Sequence, residues 1–237
     1  MGDAFQFKQF TIQQDQCAMK IGTDGVLLGA WTTLAHTPET ILDIGTGTGL
    51  IALMLAQRST AATIDALEIE DKAFEQCVAN FEASPWADRL FCYHAGFDEF
   101  VAEITDTYDL IVSNPPFYSD SVASGAMPRD LARNSHALPF SKLLSGVSKL
   151  LSKIGIFTVI IPFKEEEAFK AMAYNFGLYP NQITRTKGHP NSEIKRSLMA
   201  FSFTKRTHDI SELVIEEARH RYTDAYTKLT KDFYLKM

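Results

Sequence analysis

The sequence predicts an α/β fold with a mostly parallel β-sheet, and three observations support this prediction. Short apolar runs alternate with amphipathic segments along most of the 237 residues, an order typical of βαβ units. The glycine-rich segment 45–49 stands between an apolar run and an amphipathic one, which indicates a tight turn from strand to helix. Asn114-Pro-Pro-Phe117 follows another apolar run, and two consecutive prolines end a central strand.

Each element follows from its local pattern. Runs of β-branched and other apolar residues bounded by turn residues predict strands over 40–44, 63–69, 89–94, 108–113, 155–162, 179–185 and 196–204. Apolar residues at helical spacing predict helices over 24–35, 48–57, 71–83, 140–151, 164–175, 211–217 and 223–233. No repeat or linker interrupts this order. The chain is therefore predicted to form one domain over 1–237, with an N-terminal cap over 1–35 and a core over 36–237 that carries a basic loop near 185–196.

The glycine-rich turn predicts a site for an adenosine-containing ligand. Alternate glycines let the backbone approach a ligand closely, and the following helix N-terminus favours negative charge. An acid near the end of the next strand accepts hydrogen bonds from ribose hydroxyls, and both Glu68 and Glu70 suit this role. The spacing G-x-G-x-G differs from the dinucleotide pattern G-x-G-x-x-G, which disfavours a dehydrogenase. The predicted cofactor residues of this region are Asp43, Gly45, Thr46, Gly47, Gly49 and Glu68.

The Asn-Pro-Pro-Phe segment predicts a pocket for a planar amine. The Asn114 side-chain oxygen and the Pro115 carbonyl can both accept from one –NH2 group, and neither Pro115 nor Pro116 has an N–H. Phe117 offers a flat face on which the ring bearing that amine can stack. In open α/β sheets, ligands bind beyond the carboxyl ends of the strands. We therefore expect the amine pocket and the adenosine site to be neighbours.

Charge and composition limit the function further. The net charge of −6 argues against broad nucleic-acid binding, yet residues 185–208 hold six basic residues and one acid, Glu193. This segment is either a solvated loop or a surface for RNA phosphates, with Lys187, Lys195 and Arg196 as candidates. Arg129 and Arg133, in or at the exit of a Ser- and Gly-rich loop over 118–137, are further candidates for substrate RNA.

Metal, secreted and membrane classes are disfavoured. The three cysteines and six histidines show no metal-ligand spacing, so no metal site is predicted. No apolar run approaches the ~20 residues that span a bilayer, and the N-terminus lacks a signal-peptide pattern. These features predict a cytoplasmic protein.

With these motifs the chain resembles class I S-adenosylmethionine-dependent methyltransferases, and within them the bacterial enzymes that methylate N6 of adenosine-37 in valine tRNA. The resemblance rests on residues 7–16, 19–31, 43–49, 114–117 and 232–235. It implies a Rossmann-like, seven-stranded sheet with helices on both faces and an antiparallel last hairpin. It also implies S-adenosyl-L-methionine as cofactor, tRNA as substrate, and an N-terminal cap that closes over the methionine part of the cofactor.

The resemblance also suggests roles outside the two central motifs. Lys20 would pair with the cofactor carboxylate, although a surface lysine explains it equally well. Apart from the resemblance, the local sequence predicts that Thr23 or Asp24 caps a helix beginning at Gly25. Related enzymes often carry an acid for the adenine amino group where this chain has Gly96. Backbone groups together with stacking on Phe97, or a shift of register that brings in Asp98, would replace that acid.

Two other functions use the same features. Protein glutamine N5-methyltransferases also have an Asn-Pro-Pro-aromatic segment, because a carboxamide is another planar –NH2 group. They normally carry a separate helical N-terminal domain, for which this chain leaves about 35 residues. A non-catalytic nucleotide- or RNA-binding relative is the third possibility, and the intact Asn114 and Glu68 argue against it.

Overall fold

The computed structural model describes residues 4–17, 19–116 and 138–237. Its strands are β1 Phe5–Gln6, β2 Thr11–Ile12, β3 Thr40–Ile44, β4 Thr63–Glu68, β5 Leu90–His94, β6 Tyr108–Ser113, β7 Leu151–Pro162, β8 Tyr179–Lys187, β9 Ile194–Ser202, β10 Asp209–Val214, β11 Glu216–Ala218 and β12 Arg221–Tyr222. Its helices are α1 Thr23–Trp31, α2 Leu50–Arg58, α3 Asp71–Glu82, α4 Phe97–Glu103, α5 Phe140–Leu150, α6 Glu166–Asn175 and α7 Asp224–Thr230, with a 3-10 turn at Phe163–Glu165.

The central sheet has the strand order β10-β8-β9-β7-β6-β3-β4-β5. Its neighbours are parallel except at β9, which runs antiparallel to both β7 and β8. The mostly parallel sheet and its antiparallel hairpin are therefore as predicted. The predicted number of seven strands is wrong by one, because β10 adds an eighth strand at the edge, parallel to β8.

Helices cover both faces of the sheet because its strands are apolar on both sides. Ile41 and Val112 point into one core, which holds α1, α2 and the N-terminal strands. Their chain neighbours Leu42 and Ile111 point into a second core with α5 and α6. This alternation explains the near-continuous apolar runs in the sequence.

Two segments differ from their predicted structure. The helix predicted over 211–217 is wrong, because these residues form the end of β10 and the start of β11. Within β10 only Leu213 is buried. An edge strand of this kind lacks the continuous apolar run that predicts a central strand. The helix α4 was missed, although Phe97 and Phe100 are buried at helical spacing and Gly96 with Glu99 forms its N-terminal cap.

The start and end of α1 also differ from the prediction. The helix begins at Thr23 with Gly22 as its N-cap, so neither Thr23 nor Asp24 caps it. It ends at Trp31, since Thr32 leaves helical geometry and its buried hydroxyl bonds to the Leu28 carbonyl and to Thr158. Within the described ranges, no helix has the length and apolar character needed to cross a membrane.

Candidate active site

The glycine-rich turn joins β3 to α2 at the carboxyl edge of the sheet. Gly45, Gly47 and Gly49 have φ of 72°, 57° and 83°, a region that only glycine adopts readily. A Cβ atom at Gly45 or Gly47 would meet no atom within 4 Å, whereas one at Gly49 would lie 2.6 Å from the Phe81 ring. The first two glycines therefore expose backbone to open space, and the third allows α3 to pack against the turn.

Asp43 supports this turn from inside the protein. Its side chain is fully buried, and its Oδ2 accepts hydrogen bonds from the Thr46 hydroxyl at 2.6 Å and from the Ala52 amide at 3.2 Å. Burial raises the pKa of Asp43 to about 7, the two hydrogen bonds act against this rise, and the charge of Glu68 adds to it. Asp43 and Thr46 thus position the turn, and Asp43 can influence a ligand only through it.

Glu68 and Glu70, which the sequence does not separate, have different partners. The Glu68 carboxylate accepts a hydrogen bond from the Gly47 amide at 2.8 Å, which places it beside the glycine-rich turn. Glu70 is the N-cap of α3, and its carboxylate accepts from the Ala73 amide at 2.7 Å. Glu68 is therefore the acid available to a ligand on the turn.

Asn114 leaves the sheet next to the glycine-rich turn. Ser113 is the partner of Ile44 in the parallel pair β3–β6, and its hydroxyl donates to the Ile44 carbonyl at 3.0 Å. Since adjacent strands are about 4.8 Å apart, the chain after Ser113 and the turn at Gly45 begin side by side. Asn114 is half-buried, and among the described residues its amide makes no hydrogen bond. Pro115 is buried, Pro116 is exposed, and Phe117 lies outside the described residues.

The N-terminal segment is held against the same edge by two buried amides of α3. Asn80 donates to the carbonyls of Gln13 at 3.0 Å and Thr48 at 2.9 Å, and it accepts from the Gln13 amide at 2.8 Å. Gln76 accepts from the amide of Gln16. Sequence reasoning missed Gln76 and Asn80, although they lie at i and i+4 on the face of α3 that also carries Cys77 and Phe81.

The segment then turns into α1 beside the glycine-rich turn. Gln14 is buried and accepts a hydrogen bond from the Ile21 amide at 2.8 Å. Lys20 is exposed just before the helix, and Thr23 is the first residue of α1. A Cβ atom at Gly25 would lie 3.0 Å from the side chain of Leu50, which directly follows the turn. The start of α1 therefore packs beside the turn, and the roles of Lys20 and Thr23 stay predictions.

Phe97 and Asp98 do not suit the roles suggested for them. The Phe97 ring is 8% exposed and points at α5, so a Cβ atom at Gly146 would lie 2.3 Å from it. Asp98 pairs instead with Lys142 of α5 at 2.5 Å. Both side chains thus connect α4 to α5, and stacking of a ligand on Phe97 would require the ring to leave the core.

The basic segment forms the hairpin between β8 and β9, at the same edge as Asn114. Three of its cations pair with acids distant in sequence: Arg185 with Glu166 at 2.7 Å, Lys187 with Glu212 at 2.9 Å and Arg196 with Asp24 at 2.7 Å. Lys195 is exposed, and within the described part of the chain it has no ion pair. An RNA phosphate would compete with these pairs at Lys187 and Arg196. Arg129 and Arg133 lie outside the described residues.

The family model described as Methyltransferase small domain matches residues 22–138. A protein of Flavobacterium psychrophilum named tRNA1(Val) (adenine(37)-N6)-methyltransferase is 61% identical over 98% of this chain and 100% of its own length. The chain belongs to the tRNA1(Val) (adenine(37)-N6)-methyltransferase family. The resemblance seen in the sequence is thereby confirmed.

Solved structures share the fold at low identity. A predicted O-methyltransferase from Agrobacterium tumefaciens matches with a TM-score of 0.69 and 18% identity, over 89% of this chain and 96% of its own. P. horikoshii TYW2, solved in complex with MeSAdo, matches with a TM-score of 0.59 and 13% identity, over 85% of this chain and 71% of its own. The fold is therefore the Rossmann-like fold of class I methyltransferases.

Proposed function

We propose that this chain transfers the methyl group of S-adenosyl-L-methionine to N6 of adenosine-37 in a valine tRNA, in the cytoplasm. The observation that carries the proposal is the 61% identity over 98% of the chain to a relative of that name. The geometry supports it independently, since a glycine-rich turn, an acid beside it and Asn114 occupy one edge of the sheet.

The residues of the turn fit the cofactor. The backbone at Gly45 and Gly47 faces open space. Oε2 of the neighbouring Glu68 carboxylate accepts one hydrogen bond, from the Gly47 amide, and has a lone pair left for a ribose hydroxyl. Residues 1–35 act as the cap over this site, with Lys20 and Thr23 toward the methionine part. When bound, S-adenosyl-L-methionine supplies a methyl group already activated by its positively charged sulfur.

Asn114 and Pro115 prepare the nucleophile. The lone pair of an adenine N6 is delocalised into the ring, so the amine is a weak nucleophile. Accepting both N–H hydrogens at the Asn114 side chain and the Pro115 carbonyl favours a pyramidal nitrogen and stabilises its developing positive charge. No base is needed before attack, because the methylated ammonium is acidic enough to lose a proton to water. Phe117, which lies outside the described residues, is the proposed stacking surface for the base.

The reaction is tested by incubating the protein with S-adenosyl-L-methionine and unmodified tRNA, followed by nucleoside analysis. We expect N6-methyladenosine at the position 3′ of the anticodon in valine tRNA. Bulk protein and DNA serve as parallel substrates with radiolabelled cofactor. Label in a glutamine side chain, or in none of the three, would contradict the proposal.

Asn114→Ala tests the role of the amide. Turnover should fall at least about tenfold because one acceptor of the amine is lost, while cofactor affinity measured by calorimetry stays near the wild-type value. Asn175→Ala is the control, since Asn175 is exposed at the end of α6, on the far edge of the sheet. Equal turnover in the two variants would remove Asn114 from the mechanism.

A further inference from the structure

A groove of about 580 Å³ lies between β1, the start of α1 and the C-terminal tail. This volume is within the range of small-ligand sites. Three tyrosines line the groove, Tyr222, Tyr226 and Tyr234, together with the exposed Leu235. None of these residues has a part in the methyl-transfer chemistry described above.

The tyrosines form a rigid platform rather than a loose surface. Tyr226 is buried, and its backbone amide donates to the Thr223 hydroxyl at 3.1 Å. The Tyr222 ring stands 5.2 Å from the Tyr226 ring, with an interplanar angle of 37°, and 42% of Tyr222 is exposed. The backbone is fixed on both sides of the ring, by the pairing of Tyr222 with Glu216 and by the bond from the Thr223 hydroxyl to the Val214 carbonyl at 2.6 Å.

The groove adjoins the candidate active site. Gly22 and Thr23 form part of its wall, and Gly25, less than one helical turn further on, packs on Leu50 beside the glycine-rich turn. On the other wall, the amides of Ile215 and Glu216 bond to the carbonyls of Lys187 and Gly188 in the β8–β9 hairpin. The groove therefore continues from the carboxyl edge of the sheet.

The charges around the groove suit a nucleic acid. Glu216 is the acidic side chain in the lining of the groove, with the His189 ring 3.9 Å away, and the Lys8 ammonium donates to the Met237 backbone oxygen at 3.2 Å. Lys236 on the groove wall and Arg219 at the tip of the β11–β12 hairpin are exposed, and neither has an ion pair within the described residues. Lys236 and Arg219 can therefore bind a phosphate of a nucleotide whose base stacks on the flat face of Tyr222.

We propose that this groove binds one unpaired base of the RNA substrate, near the adenosine that enters the catalytic site, by stacking on Tyr222. This inference rests on the proposed function. The contact at Tyr222 is a second one, in addition to that with the reacting adenosine, and it recognises the RNA loop around that adenosine. Stacking of this kind tolerates any base, so the groove recognises an unpaired nucleotide and not a sequence.

Direct binding to a fluorescent valine anticodon stem-loop tests the groove. Loss of base–aromatic stacking should weaken the affinity of Tyr222→Ala by about five- to 150-fold, while Tyr222→Phe stays within about twofold of wild type. Tyr174→Ala is the control, because Tyr174 is a similarly exposed tyrosine near the end of α6 on the opposite edge of the sheet. Cofactor affinity should be unchanged in all three variants.

Abasic substitutions in the stem-loop identify the occupant. At one unpaired position, removal of the base should weaken binding to the wild-type protein by the same factor as Tyr222→Ala weakens binding of the intact RNA. The same abasic RNA should bind Tyr222→Ala no more weakly than the intact RNA does. Additive losses at every position, or a Tyr222→Ala affinity equal to that of Tyr174→Ala, would overturn the inference. Because binding is measured without turnover, a wild-type protein that binds but does not methylate would contradict the proposed function alone.

Discussion

At the residue scale, Asp43 connects the stability of the protein to pH. A carboxylate has an ordinary pKa of roughly 4, and burial raises that of Asp43 to about 7. Because the pKa of Asp43 is higher in the folded protein than in the unfolded chain, the contribution of protonated Asp43 to stability is complete below about pH 4. It is lost as the pH rises to about 7 and stays constant above that. One oxygen, Oδ1, has no hydrogen-bond partner among the described residues, which is consistent with a group that is hard to ionise in place.

Replacing Asp43 by Asn should remove this pH dependence. The Asn side-chain oxygen can keep the bonds from Thr46 and Ala52, and it carries no charge to bury. We expect the free energy of unfolding of wild type, relative to Asp43→Asn, to fall by up to about 4 kcal/mol between pH 4 and pH 8. Urea unfolding at several pH values measures this difference. Parallel curves for the two proteins would show that Asp43 does not titrate in this range.

The residue scale also shows what the sequence could predict at the site. The tight turn at Gly45 and Gly47 and the end of the strand before Asn114 were predictable, because glycine freedom and consecutive prolines are properties of the local chain. The choice between Glu68 and Glu70 depended on where α3 begins, since the residue before that helix is used as its cap. Phe97 was assigned to a ligand because the helix that buries it went unrecognised.

At the scale of elements, strands buried on both faces were predictable and the edge was not. Central strands such as β6 are apolar runs, whereas β10 exposes most of its side chains and is defined by pairing with β8. The charge of the β8–β9 hairpin shows the same limit. The hairpin has an excess of basic residues in sequence. In the fold, three of them form ion pairs with acids of three other elements, Glu166, Glu212 and Asp24.

The contact between α3 and the N-terminal segment yields a prediction at this scale. Asn80→Ala leaves the Thr48 carbonyl and both Gln13 backbone groups without their partner, at a stability cost of about 1–3 kcal/mol. Because the proposed N-terminal cap then loses this attachment to α3, the Kd for S-adenosyl-L-methionine should rise at least about tenfold. Calorimetric titration measures the Kd, with Asn175→Ala as control. A lower stability with an unchanged Kd would separate the segment from cofactor binding.

At the scale of the whole molecule, the two ends of the chain close one core together. Phe7 forms a β-bridge with Tyr234, and the Lys8 amide donates to the Phe233 carbonyl at 2.8 Å. Phe7 and Phe233 are both buried in the core that contains α1 and α2. The N-terminal segment and the tail beside the tyrosine groove are therefore parts of one packed unit.

This arrangement predicts that the last residues of the chain carry much of its stability. Phe233 is 2% exposed, so Phe233→Ala should cost about 3–5 kcal/mol and lower the Tm by roughly 6–20 °C. Leu235→Ala, two residues further on at a side chain that is 51% exposed, should change the free energy of unfolding by less than about 0.5 kcal/mol. Thermal unfolding of both variants, followed by circular dichroism, compares them. Equal Tm values would mean that the tail contributes little to the stability of the core.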